Sequence, residues 1–143
     1  MSGAQNIVTV AEDGGVAFAQ TVTIGRHVMA ADEPQSRGGQ DAGPSPYEWV
    51  LAGLGTCTAI TVRMYAERHN WPLARTTVEL SHEKVPSAGA SATDHFHRVI
   101  RFEGELTEEQ RSRLLQIAEH CPVSETLRHA AVVDTIAAKG DLI

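Results

Sequence analysis

Cysteine is scarce in this chain: Cys57 and Cys121 are the only two among 143 residues. Two thiols exclude a small secreted scaffold held by several bridges. Their wide separation excludes a Cys-x-x-Cys redox or zinc motif. No apolar run approaches the roughly 18 residues that span a bilayer. The opening MSGAQNIVTVAEDGG has neither the basic start nor the apolar stretch of a signal peptide. A cytoplasmic protein with no membrane partner is the expectation. A basic excess is missing as well. The net charge is −6 with signs mixed along the chain, so no nucleic-acid partner is expected. Gly-rich phosphate loops and His-Glu-x-x-His are both absent.

What is present fits one globular domain over residues 1–143, with an ordinary balance of 42% apolar and 21% charged residues. Ile7 to Glu12 alternates, Asp13-Gly14-Gly15 offers a turn, and Val16 to Gly25 reads as a second strand. His27 to Ala31 reads as a third. Residues 32–46, rich in Gly, Pro and Asp, form a loop long enough to carry function. A helix follows. Ser45 is its N-cap, Pro46 takes the first helical position, and Glu48 completes a capping box. The pattern runs to about His69, where Asn70 and Pro72 stop it. Trp49, Val50, Leu51, Leu54, Ile60, Val62 and Met64 make it apolar nearly all round, the mark of a helix central to its fold.

Thr76–Lys84 and His95–Glu105 alternate as a hairpin, with an irregular tip over Val85–Thr93. Thr107 and Gln110 open a second helix through another capping box. Pro122 disfavours helical geometry at Cys121 and places it at that helix's end. A short helical piece over Ser124–Ala131 and a last strand over Val132–Ala137 complete the expectation.

Each cysteine has two readings. A single cysteine on an apolar helix is commonly a small core residue. A working thiol must reach its thiolate form, which needs a cation or hydrogen-bond donors nearby. The local sequence Gly53-Leu54-Gly55-Thr56-Cys57 holds two helical glycines, each costing about 1 kcal/mol against alanine. They leave room for a second backbone or a substrate, or simply for tight helix packing.

The segments GPSPYEWVLAGLGTCTAITVRMYAERHNWPL and LTEEQRSRLLQIAEHCPVSETL resemble the OsmC/Ohr family, most closely its general OsmC-like branch. The resemblance runs from about Asp32 to the C-terminus. Its specific features are the proline-initiated helix carrying Cys57 and the Cys-Pro-Val-Ser carrying Cys121, 64 positions later. It implies an α+β fold, with antiparallel sheet wrapped around a long central apolar helix in an intertwined homodimer. It also implies thiol-dependent reduction of organic hydroperoxides. Cys57 would be the peroxidatic thiolate and Cys121 the resolving thiol, closing a disulfide. An external dithiol, a lipoyl group or a small thiol, would restore both, with no metal or bound cofactor.

One departure stands out. Peroxidases of the family polarise thiolate and peroxide with an Arg and a Glu, the Glu directly after the helix-opening proline. Here that place is Tyr47, and the acid comes one later at Glu48. At about 100° per residue, Glu48 falls on roughly the opposite helix face from Cys57, while Tyr47 is about 80° off it. Glu48 therefore reads first as the capping acid. Tyr47 reads as a hydroxyl donor or as a core or interface aromatic. Arg26 and Arg37 are the two candidate cations, although a loop arginine is commonly just solvated. His27 is a further candidate to stabilise a thiolate. His120 reads as a helix C-terminal residue favoured by the dipole, and His82, His95 and His97 show no metal-ligand pattern. The alternative to a peroxidase is a non-catalytic protein that binds a small molecule or a thiol adduct. Thioester hydrolysis is a weaker alternative, since no Cys-His-Asp set is visible.

Overall fold

The computed structural model describes residues 7–15 and 17–138. Three short strands open the chain: β1 (Val8–Glu12), β2 (Gln20–Ile24) and β3 (His27–Ala31). They form an antiparallel sheet in the order β1-β2-β3, with Val10 opposite Val22 and Val22 opposite Met29. Gly25 and Arg26 make the two-residue turn from β2 to β3, and Gly25 at φ 58° takes the left-handed geometry such a turn demands. The expected second strand begins later than its alternation implies. Ala17 has a positive φ of 38°, and Asp13 N–H donates to Ala19 carbonyl at 3.2 Å, so the chain is still turning there. Val16 lies outside the described residues.

The loop after β3 is tied to one buried carboxylate. Asp32 accepts from the N–H groups of Glu33 (2.7 Å), Gln40 (3.1 Å) and Ala42 (3.2 Å). Burial opposes its ionisation, but the three donors prevail and hold its carboxyl below the usual range. A 3-10 turn at Gln35–Arg37 lies inside the loop. Gly39 and Gly43 pass so close to the carbonyls of Glu33 and Ala30 that a Cβ at either would collide with backbone.

Helix α1 (Pro46–Arg68) follows. Glu48 Oε1 accepts from Ser45 N–H at 2.8 Å. That bond, then one from the Ser45 hydroxyl, keeps the Glu48 carboxyl below its ordinary range. Asn70, at φ 54°, and Pro72 end the helix. Arg63 then clasps the outgoing chain, its guanidinium donating to the Leu73 carbonyl at 2.7 Å and the Ala74 carbonyl at 3.3 Å.

Strands β4 (Leu73–Ser87) and β5 (Ala90–Gly104) form a long antiparallel hairpin. The ladder runs through most of the expected irregular tip, turning at Gly89 with φ 70°. Cross-strand pairing satisfies the backbone of small polar residues whose own strand preference is weak.

Helix α2 (Glu108–Glu119) carries both halves of its capping box: Gln110 N–H to Thr107 Oγ1 at 3.1 Å, and Thr107 N–H to Gln110 Oε1 at 3.0 Å. Helix α3 spans Pro122–Arg128, two residues ahead of the expected start. Proline pre-sets the helical φ at the first position, so the helix begins at Pro122 itself. The expected last strand does not form. Val132–Ala137 has no regular structure, and Val132 and Ile136 are 85% and 92% exposed. A strand needs a neighbour for its N–H and C=O groups, and none pairs with this segment among the described residues.

The chain divides into two compact units. One comprises residues up to Gly55 with Glu79–Val99; the other comprises Thr56–Val78 with the chain from Ile100 onward. The second unit holds a continuous core of Val62, Ala66, Leu73, Leu114 and Ala118, flanked by Tyr65, Trp71, Ile100 and Phe102. In the first unit, Ala19, Val22, Ala31 and Leu54 are buried, and Leu80 packs where a Cβ on Gly55 would point. Gly53 meets nothing within 4 Å. No helix among the described residues is long and apolar enough to cross a membrane.

Candidate functional site

Both cysteines belong to the second unit, and both are free thiols. Cys57 lies in the middle of α1 and is half-buried; Cys121 is the N-cap residue of α3 and fully buried. Cys121 is extended (φ −63°, ψ 151°), as a residue before proline must be. Thr58 directly follows Cys57, and its Oγ1 lies 3.6 Å from Cys121 Sγ. Thr58 and Cys121 both have zero exposure. Cys57 Sγ has a hydroxyl neighbour in Thr61 Oγ1, one helical turn on at 4.0 Å. The Cys57 sulfur is therefore the more accessible of the two.

A cleft of about 770 Å³ lies in the same unit. Thr61 lines it, as do His120 and Pro122, the two chain neighbours of Cys121. Met64 and Ile117 supply apolar wall, and Arg68 and Arg113 supply charge. Arg113 is held in place: Nε donates to Tyr65 Oη at 3.0 Å, one Nη donates to Gln116 Oε1 at 3.0 Å, and the guanidinium lies 5.5 Å from the Tyr65 ring centre. His120 is the C-cap residue of α2, and its Nδ1 is 2.8 Å from Glu125 Oε1. That contact comes first among the causes that hold the Glu125 carboxyl below its ordinary range. Thr58, Thr61 and Arg113 were not visible as site residues in the sequence. The i, i+4 relation of Cys57 and Thr61 is the one signal that points to any of them.

The remaining expected site residues lie in the first unit. Arg37, Tyr47 and Glu48 line one cleft of about 740 Å³, together with Glu33, His82 and Lys84. Arg37 sits 3.9 Å from Glu33 on the exposed 3-10 turn. Tyr47 is stacked flat on His82, with ring centres 4.3 Å apart and planes 6° apart. Lys84 Nζ stands 5.7 Å from the Tyr47 ring centre. Asp94 fastens both β4 side chains, at 2.8 Å from His82 Nε2 and 2.8 Å from Lys84 Nζ. Arg26 is elsewhere in that unit, exposed in the β2–β3 turn, and His27 beside it is exposed at the start of β3. His97 reaches Glu83 at 3.4 Å. Among the described residues, no group of three His, Cys, Asp or Glu side chains is placed to hold a metal ion.

An α+β architecture of two antiparallel sheets and three helices, with a free cysteine in its longest helix and another at a helix N-cap, defines the class. The family model for OsmC-like protein matches residues 38–136, and the chain belongs to that family. Among curated proteins, none matches the sequence. Among solved structures, the chain is similar to an OsmC-like protein from Mycoplasma pneumoniae, with TM-score 0.71 and 16% identity over 90% of this chain and 89% of that one. It is also similar to the organic hydroperoxide resistance protein OsmC from Legionella pneumophila (TM-score 0.66, 19% identity, 88% and 92% covered). A third is the organic hydroperoxide resistance protein OhrB of Bacillus subtilis (TM-score 0.62, 21% identity, 87% and 91% covered). At these identities the likeness is one of fold.

Proposed function

We propose that this protein is a thiol-dependent peroxidase that reduces organic hydroperoxides, with residues 1–143 acting as a single OsmC-like domain. The Cys57 thiolate attacks the distal peroxide oxygen. An S–O bond forms, the O–O bond breaks, and the departing alkoxide takes a proton to become an alcohol. Cys121 then attacks the sulfenic sulfur of Cys57, giving a disulfide and water. An external dithiol, a lipoyl group or a small thiol, accepts the disulfide by exchange and returns both cysteines to thiols. No metal or bound cofactor enters this cycle.

The observation that carries this reading is that Thr58, the residue after Cys57, has its side chain 3.6 Å from the Cys121 sulfur. The relatives of known structure that are described as organic hydroperoxide resistance proteins support it. Arg37 is the favoured activating cation over Arg26, because it shares a cleft with Tyr47 and Glu48. Tyr47 stands in the family's glutamate position as a hydroxyl donor, and Glu48 acts as the helix cap.

We further propose that the working form is an intertwined homodimer, with the sheet wrapped around α1. Exposed apolar side chains support this: Ile60 and Met64 on α1, Val8, Val10 and Val28 on the first sheet, and the uncovered Val132–Ala137 segment. The cytoplasm, where thiols stay reduced between turnovers, is the proposed compartment.

The decisive experiment adds one equivalent of cumene hydroperoxide to the reduced protein and counts free thiols. Loss of two thiols per chain is expected. Unchanged thiols would leave the second reading, a protein that binds a small molecule or thiol adduct without turnover. That reading is favoured by the complete burial of Cys121 and by Tyr47 in place of the family's glutamate.

A further inference from the structure

We infer that the cleft between α1 and α2 is a binding site for an organic carboxylate with an apolar body. The inference goes beyond the peroxidase reading and stands or falls without turnover of either thiol.

One face of each helix builds the cleft. Its α1 wall runs from Thr61 to Arg68 and its α2 wall from Arg113 to His120, each at positions i, i+3, i+4 and i+7. Its volume of about 770 Å³ falls in the range of about 300–1,000 Å³ typical of small-molecule sites. Met64, Ile117 and Pro122 supply apolar surface. The charge is all of one sign: Arg68 and Arg113 line the cleft, and among the described residues no Asp or Glu does. The net charge of the chain is −6, so composition alone would not collect cations here. The cleft of the first unit, by contrast, mixes both signs, with Glu33 and Glu83 beside Arg37 and Lys84.

Neither guanidinium is neutralised from within the unit. Arg113 gives its hydrogen bonds to neutral groups, Nε to Tyr65 Oη and one Nη to Gln116 Oε1, both at 3.0 Å. Arg68 has no hydrogen bond or ion pair among the described residues. The acids nearby are engaged elsewhere: Arg128 pairs with Glu119 and Glu125, and His120 Nδ1 is 2.8 Å from Glu125 Oε1. The helix dipole accounts for a cation in the last turn of α1, where Arg68 sits. It does not account for Arg113, midway along α2. The Tyr65 and Gln116 contacts fix that guanidinium before a ligand arrives, which lowers the ordering cost of binding. A planar guanidinium matches the two oxygens of a carboxylate, and the apolar surface takes the rest of the molecule. Met64 is counted above among the side chains offered to a second subunit, so a second copy is the rival occupant. Covering two uncompensated guanidinium groups with another chain is costly unless that chain brings carboxylates of its own.

The test titrates the reduced protein with 4-phenylbutyrate, with its neutral amide and with inorganic phosphate, by isothermal titration calorimetry. Wild type should bind the carboxylate saturably and at least about tenfold more tightly than the amide, the loss of one charge-assisted contact. Arg113→Gln should weaken the carboxylate at least about tenfold on the same ground. Arg68→Gln, which breaks no hydrogen bond or ion pair among the described residues, should weaken it at least about threefold. Arg75→Gln makes the same charge change on β4, outside the cleft, and should leave affinity within about twofold. Equal affinity for acid and amide overturns the assignment. Phosphate bound as tightly as phenylbutyrate overturns it too, since that ion uses no apolar surface. Unchanged affinity in both cleft variants, or losses no larger than in Arg75→Gln, removes the site from this cleft. No saturable binding up to about 10 mM overturns the inference and leaves the cleft to a second copy. Peroxide-driven thiol loss is read separately, so the peroxidase reading survives or fails by its own measurement.

Discussion

Tyr47 and His82 lie flat against each other, ring centres 4.3 Å apart, joining the first turn of α1 to β4. This contact fixes the residue directly after the helix-opening proline. It depends in turn on Asp94, which fastens His82 and Lys84 from the facing strand. Phe96, with its ring centre 4.8 Å from that of His82, closes the group.

The Asp94 cluster makes folding stability depend on acid. Hydrogen bonds from Lys84 first, and then from His82, hold the Asp94 carboxyl below its ordinary value of 3.8. A carboxyl depressed in the folded state contributes stability that is fully present above its unfolded pKa. That contribution is lost as pH falls through the lower folded value. The melting temperature of wild type should thus fall more steeply than that of Asp94→Asn between about pH 5 and pH 2. Parallel curves for the two proteins would show that the cluster contributes nothing.

The thiols should separate by variant. Cys57→Ser is expected to abolish peroxide-driven disulfide formation and hydroperoxide consumption, a loss of at least about a hundredfold for removal of a nucleophile. Cys121→Ser should still consume the first equivalent, but Cys57 should then pass to sulfinic acid under excess peroxide. Mass spectrometry of the treated proteins decides. Disulfide-linked dimers through Cys57 in the Cys121→Ser protein would assign resolution to another chain.

Core and surface leucines adjacent in sequence should behave differently. Leu114 has zero exposure and packs among Val62, Ala66, Leu73 and Ala118. Leu114→Ala should cost about 2–5 kcal/mol in urea unfolding. Leu115, 52% exposed on the other side of α2, should cost under about 1 kcal/mol on the same change. Similar costs at both positions would mean that a partner chain covers Leu115.

If the chain pairs through its uncovered segment, charge placed there should separate it. Val132→Asp combined with Ile136→Asp is expected to halve the mass measured by light scattering, relative to wild type. A wild-type monomer, or a double variant of unchanged mass, would remove the proposed role of this segment in dimer formation.

Local elements were legible in the sequence because their causes are local. Ser45, Pro46 and Glu48 announced the start of α1, Thr107 and Gln110 that of α2, and the short strand read at His27–Ala31 matches β3 to the residue. Pro122 announced both the end of α2 and the extended geometry of Cys121. Legibility ended where a partner decides. Val132–Ala137 holds β-branched residues suited to a strand but has no neighbour to pair with among the described residues, whereas the polar tip of β4–β5 is strand because each side supplies the other.

The sequence alone determined where helices begin and which family the chain belongs to, since composition, caps and motifs act over a few neighbouring positions. Only the tertiary structure decided that Thr58 meets the Cys121 sulfur, that His82 lies under Tyr47, and that Arg113 is held by Tyr65 beside a cleft. These contacts join residues 63, 35 and 48 positions apart. No periodicity encodes such pairings, because they arise when sequence-distant segments pack within a unit.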